Sequence, residues 1–137
     1  MTKVREIMTP GPRTVGSDEP LQKAAEVMAQ ERVGGLPICG PDGKIKGMIT
    51  DRDIVVRGLA SGKALAEPAG QLNQGEAVTV GADDDIDELL ATMTRHGVKR
   101  LPVVDGADLV GVVTMGDVAQ AMPNPTSGEL VEALGVE

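Results

Sequence analysis

Leu21, Ala24, Ala25 and Met28 stand at i, i+3, i+4 and i+7, and Ile86, Leu89, Leu90 and Met93 repeat that spacing. Each set makes one apolar stripe along a helix. Acidic stretches precede both, Ser17-Asp18-Glu19-Pro20 and Asp83-Asp84-Asp85, and acidic groups suit a helix N-terminus. His96-Gly97 reads as the end of the second helix, with glycine in the left-handed cap position. A short extended piece comes before each helix, at 13–15 and 78–80. Two apolar runs come after each. Residues 36–39 and 44–50 flank Gly40-Pro41-Asp42-Gly43, and 101–104 and 109–114 flank Asp105-Gly106-Ala107-Asp108. Asp-Gly between apolar runs signals a hairpin. A further helix is expected over 51–59 and again over 115–122. The order β-α-β-β-α is therefore read twice.

The two readings are copies of one unit. Residues 14–38 align with 79–103 at an offset of 65: Thr14-Val15-Gly16 meets Thr79-Val80-Gly81, and Leu36-Pro37-Ile38 meets Leu101-Pro102-Val103. After a one-residue gap, Gly47 meets Gly111, Thr50 meets Thr114 and Asp53 meets Asp117. The lead-in Val4-Arg5-Glu6-Ile7-Met8 falls opposite Ala69-Gly70-Gln71-Leu72-Asn73 with little identity. Two copies are too few for a solenoid and imply a pseudo-symmetric pair. The division expected is 1–62 for repeat one with its lead-in, 63–122 for repeat two, and 123–137 for a tail. Pro123-Asn124-Pro125 closes the second copy, and Thr126-Ser127-Gly128-Glu129 resembles a capping box opening a short helix over 130–134.

Composition narrows the chemistry. With 41% hydrophobic residues, a chain of 137 residues can bury a real core as one domain or two very small ones. Phe, Tyr and Trp are absent, which excludes aromatic cages and stacking platforms. A ring-shaped ligand has to lie between aliphatic or Met side chains, and seven Met residues supply adaptable filling. The formal net charge of −8 without a basic block argues against nucleic acid as a partner. One Cys excludes an intrachain disulfide and suits a reducing compartment, so a cytoplasmic location is expected. One His and one Cys cannot by themselves build a metal site of three or four such ligands. The start MTKVREIMTPG lacks a long apolar stretch, so neither a signal peptide nor a membrane span is expected.

The segments VGGLPIC…GMITDRDIV and VKRLPVV…GVVTMGDVA, with the lead-in VREIMTPGPRTV, resemble a tandem pair of CBS domains, the repeat named after cystathionine β-synthase. The resemblance covers roughly residues 3–122. The stretch LPICG…GMITDRDIVVRGLA is also similar to stand-alone CBS pairs of the actinobacterial hypoxic-response type. The fold class implied is α/β (α+β), two pseudo-symmetric β-α-β-β-α repeats packed through their sheets. The resemblance further implies two clefts between the repeats for adenosine-containing ligands: AMP, ADP, ATP, S-adenosylmethionine or NAD. It implies association into homodimers, for which helices 51–59 and 115–122 are the expected seams, and signalling to a regulated protein partner.

Thr50-Asp51-Arg52-Asp53 and Thr114-Met115-Gly116-Asp117 each close a strand and open a helix. A Thr N-cap with an acid three residues on satisfies orphan N–H groups. The same Asp can accept hydrogen bonds from a ribose diol, and the Thr hydroxyl with free helix N–H groups can meet a phosphate. Leu36, Pro37 and Ile38, with Leu101, Pro102 and Val103, can wall an adenine slot or form ordinary core strands whose Pro marks an edge or bulge. Thr14, Val15, Thr79 and Val80 occupy the family's opening strand, whose backbone would meet the adenine edge. Otherwise they are a short β-branched strand. Lys99 and Arg100 place cations beside the second motif, where Gly34 and Gly35 stand in the first; Arg52 and Arg57 can serve the first. Cys39 reads as a small buried hydrophobe, and His96 as a partner of a helix C-terminus. No metal site is expected; the minor alternative is a metal shared between chains through Cys39, His96 or carboxylates. No nucleophile–base set is visible, so no enzymatic activity is expected. The reading is a regulatory module with an adenosyl effector and no required cofactor. The alternative is a ligand-free stress-response interaction protein.

Overall fold

The computed structural model describes residues 2–72 and 77–121. Two compact units emerge, Pro12–Ala77 and the pair of segments Met1–Gly11 with Val78–Glu137. The tail helix expected over 130–134 lies outside the described residues.

In the unit Pro12–Ala77, helix α2 (Leu21–Glu31) packs on a three-stranded sheet. Strand β2 (Val15–Gly16) runs parallel to β3 (Gly35–Cys39), which pairs antiparallel with β4 (Ile45–Thr50). A π-helical segment, Asp53–Leu59, and a 3₁₀ turn, Ala69–Leu72, complete it. The core holds Val15, Leu21, Val27, Leu36, Ile38, Ile49 and Leu72, each at most 2% exposed. The regular α-helix expected over 51–59 is thus a wider π-helix. The Ala60 N–H reaches back five residues to the Val55 carbonyl, where an α-helix closes on the fourth.

In the other unit, β5 (Val80–Gly81) runs parallel to β6 (Arg100–Asp105), and β6 pairs antiparallel with β7 (Asp108–Thr114). Helices α3 (Ile86–His96) and α4 (Met115–Ala121) follow the order expected. Asp85 caps α3 by accepting a hydrogen bond from the Glu88 N–H at 2.9 Å, and Gly97 ends it at φ 63°. Leu89, Met93, Val103, Val113 and Val118 are fully buried. Both hairpins shift register at the same place, between Ile38 and Cys39 and between Val103 and Val104. Pro37 and Pro102 stand one position before the residues that β2 and β5 reach, Ile38 and Val103. The missing proline N–H therefore faces a side where the short parallel strand has ended.

Packing groups the chain differently from the sequence division at 62/63. The lead-in, helix α1 (Val4–Ile7) and strand β1 (Thr9–Pro10), folds onto the second repeat, with β1 pairing antiparallel to β7. The Val4 and Arg5 N–H groups donate to the Asp84 and Ala82 carbonyls at 2.8 Å each. The segment 69–72 does the same for the first repeat: Ala69 and Gly70 donate to Glu19 and Ser17 at 2.7 and 2.9 Å. The same two bonds recur at an offset of 65 residues, so each repeat receives the lead-in of the other copy. Val4 and Leu72, at 0% and 1% exposed, plug the corresponding cores. Gly111 permits the approach of β1, since a Cβ there would come within 2.9 Å of the Thr9 carbonyl oxygen.

Candidate functional site

Each Thr-x-x-Asp motif spans the junction between a strand end and the following helix. In the first repeat the Thr50 N–H donates to Asp53 Oδ2 at 2.9 Å, and the Asp53 N–H donates to Thr50 Oγ1 at 3.1 Å. In the second the Thr114 N–H donates to Asp117 Oδ2 at 2.9 Å, and the Asp117 N–H donates to Thr114 Oγ1 at 3.2 Å. Both are closed capping boxes. The Thr hydroxyls that the sequence reading offered to a phosphate therefore already accept a helix N–H. What each box leaves for a ligand is the outer carboxylate oxygen, Oδ1, of a half-buried Asp.

The surroundings of the two boxes differ. Gly35 lies opposite Thr50 across the β3–β4 pair, whereas Arg100 lies opposite Thr114 across β6–β7. The Lys99 carbonyl accepts the Met115 N–H at 2.8 Å, as the Gly34 carbonyl accepts that of Asp51 at 3.0 Å. The backbone is thus duplicated at this junction, while Lys99 and Arg100 stand where the first copy has Gly34 and Gly35. The acidic run 83–85 is otherwise engaged. Asp83 faces Arg5 at 3.3 Å, Asp84 accepts the Gly81 N–H at 2.9 Å, and Asp85 caps α3. Among the described residues, Lys99 and Arg100 have no ion pair with it. Arg52 is exposed in the first repeat. Arg57 turns back, its Nη1 lying 3.4 Å from Asp53 Oδ1 and donating to the Leu72 carbonyl at 2.6 Å.

Register brings Val15 beside Ile38 and Val80 beside Val103. Leu36, Ile38, Leu101 and Val103 point into the cores of their units. Strand alternation turns Pro37 and Pro102 to the opposite face, where they are also buried. Thr14 is exposed and Thr79 half-buried. Cys39 is half-buried rather than fully buried, and burial raises its thiol pKa against a smaller, opposing hydrogen bond with Thr14. His96 is exposed in the last turn of α3. Among the described residues, no three His, Cys, Asp or Glu side chains gather as a metal site, and Cys39 and His96 belong to different compact units.

Sequence reasoning missed a second duplicated device. The Gly16 N–H donates to Glu19 Oε1 at 2.7 Å, as that of Gly81 does to Asp84. The signal was an acid three residues after a glycine at the repeat offset. It braces the loop that receives each lead-in.

The CBS domain family matches residues 4–59 and 69–124. The chain is 42% identical over 135 residues to hypoxic response protein 1 of Mycobacterium tuberculosis, covering 98% of this chain and 94% of the relative. A crystal structure of hypoxic response protein I with two coordinated zinc ions is 43% identical. It has a TM-score of 0.82 and covers 89% of this chain and 100% of that one. The CBS domain pair of protein MJ0100, in complex with 5-methylthioadenosine and S-adenosyl-L-methionine, is 28% identical. Its TM-score is 0.80, with 88% of this chain and 95% of that one covered.

Proposed function

This chain belongs to the CBS domain family as a tandem pair, and from that premise we propose that it is a non-catalytic regulatory module for an adenosine-containing ligand. The observation that carries the reading is the duplicated Asp, Asp53 and Asp117, each held with one carboxylate oxygen turned into a capping box. A carboxylate fixed in this way is prepared to accept from a ribose diol at little further ordering cost. The adenosyl ligands of the MJ0100 pair support the ligand class. Thr14, Val15, Thr79 and Val80 would offer backbone groups to the adenine edge. Lys99 and Arg100 would favour phosphate near Asp117, offsetting charge on a chain of net −8. The protein works in the cytoplasm as a homodimer and signals to a protein partner. Among the described residues no helix is long and apolar enough to cross a membrane.

For the dimer, the π-helical segment is the favoured seam, because Val55, Val56 and Leu59 are 57%, 43% and 53% exposed on it. Helix α4 offers less than its sequence promised. Met115 and Val118 are buried in the core of their own unit, and Gly116, Ala119 and Gln120 face outward.

A second reading, a ligand-free stress-response protein, draws on the closed capping boxes, which account for both motifs without any ligand. A thermal-shift series with AMP, ATP, NAD and S-adenosylmethionine separates the two. Ligand at about one hundred times Kd stabilises a folded protein by about 2.7 kcal/mol, a Tm rise of several degrees. Such a rise with one of these compounds supports the module; no rise with any of them supports the second reading.

A further inference from the structure

We infer that Arg57 closes the first of the two carboxylates, so that an adenosyl ligand uses Asp117 and leaves Asp53 aside in the native protein. The inference rests on the adenosyl-ligand reading and adds to it which repeat binds and which residue decides. In the first repeat, Asp53 Oδ2 is held by the Thr50 N–H, and Arg57 Nη1 stands 3.4 Å from Oδ1. Both side chains are partly withdrawn from water, at 32% exposed for Arg57 and 23% for Asp53. A guanidinium beside a half-buried carboxylate competes with hydroxyl donors both for lone pairs and for charge. Arg57 is also anchored, because it donates to the Leu72 carbonyl at 2.6 Å. A ribose would have to displace that anchored cation.

The second repeat lacks the device. The residue four after Asp117 is Ala121, where the residue four after Asp53 is Arg57. Asp117 keeps its capping bond at Oδ2, and among the described residues its Oδ1 has no partner. The residue at the repeat offset from Leu72 is Ile7 of α1, which packs against the core of the second repeat. The asymmetry therefore comes from the Arg57 side chain, carried on a π-helical segment where the second repeat has the α-helix Met115–Ala121. It also reverses the role that the sequence suggested for Arg57, from a cation serving a phosphate to a cation occupying the carboxylate that would hold the ribose.

Calorimetric titration of AMP and of adenosine into four proteins tests this: wild type, Arg57→Ala, Arg57→Ala/Asp53→Ala and Ala121→Arg. Circular dichroism confirms the fold of each. Wild type is expected to bind about one AMP per chain, and Arg57→Ala about two, the gain vanishing in the double variant. Installing the competing cation in Ala121→Arg should weaken wild-type binding by about 10- to 150-fold, the worth of a charged hydrogen bond. If Arg57→Ala does not fold, Ala121→Arg decides alone, and undiminished affinity there overturns the inference. Two equivalents in wild type, or no gain in Arg57→Ala, overturn it while leaving the adenosyl reading intact. A loss of AMP but not adenosine affinity in Arg57→Ala overturns it in favour of a phosphate role for Arg57. Absence of binding in all four proteins removes the adenosyl reading and the inference with it.

Discussion

Asp53 and Asp117 hold the same place in two copies of one loop, yet Oδ1 of Asp53 faces Arg57 while, among the described residues, that of Asp117 has no partner. The spacing Thr-x-x-Asp was enough to foresee both capping boxes, because the geometry is local and complete within four residues. The direction of Arg57 was not legible, since the Leu72 carbonyl to which it donates lies 15 residues away on a segment brought in by tertiary packing. The aliphatic triplets behaved similarly. Their apolar character was plain, but which side chain faces the core followed only from register. The capping role has a test free of any ligand. Thr114→Ala removes the hydroxyl that accepts the Asp117 N–H and should cost about 0.5–2 kcal/mol. Urea denaturation of the ligand-free variant checks it, and a loss near zero would mean that the box contributes nothing to stability.

Among the elements, the two long helices and both hairpins were legible because periodicity and turn chemistry agreed. The π-helical segment was not, since its sequence carries an ordinary helical pattern and the widened turn is an outcome of packing. Gly58 is buried there, with the ends of Leu21 and Leu72 within 3.8 Å of where a Cβ would be. Strand β1 was also missed: two residues containing a proline give no strand signal without β7 to pair with. Leu90, 4% exposed on the core face of α3, should lose about 2–5 kcal/mol when replaced by Ala. A neutral result in chemical denaturation would remove it from the core. Helices α2 and α3 both end in a left-handed residue, but α2 ends in Arg32 at φ 56° where α3 has Gly97. A Cβ in that region costs about 1–2 kcal/mol, and Arg32 is exposed. Arg32→Gly should therefore raise stability by about 1 kcal/mol, and a lower denaturation midpoint would show that the Arg32 side chain matters more than its backbone.

For the whole molecule, the exchange of lead-ins is the feature that order along the chain conceals. Internal similarity located both lead-ins, but proximity in sequence assigned each to the repeat that follows it, whereas hydrogen bonds assign each to the other copy. Val4→Ala should accordingly cost at least about 1.5 kcal/mol, for the apolar groups lost from a buried site. The loss should appear as faster amide exchange within 80–118. Faster exchange concentrated within 15–59 would contradict the assignment. Acid should loosen the same attachment. Arg5 holds the Asp83 carboxyl below its ordinary pKa, first through its side-chain hydrogen bond and then through charge. That contribution is complete above the unfolded carboxyl pKa and is lost as pH falls through the lowered native value. Arg5→Met should thus flatten the acid limb of the stability profile, and an unchanged limb would mean that the pair does not tether the lead-in. Asp117 is the carboxylate proposed to receive an adenosyl ligand. Calorimetry of AMP or S-adenosylmethionine against wild type and Asp117→Ala tests this most directly, with circular dichroism confirming the fold. A loss of about 10- to 150-fold in affinity is the expected result; binding unchanged in Asp117→Ala, or absent from the wild type, would contradict it.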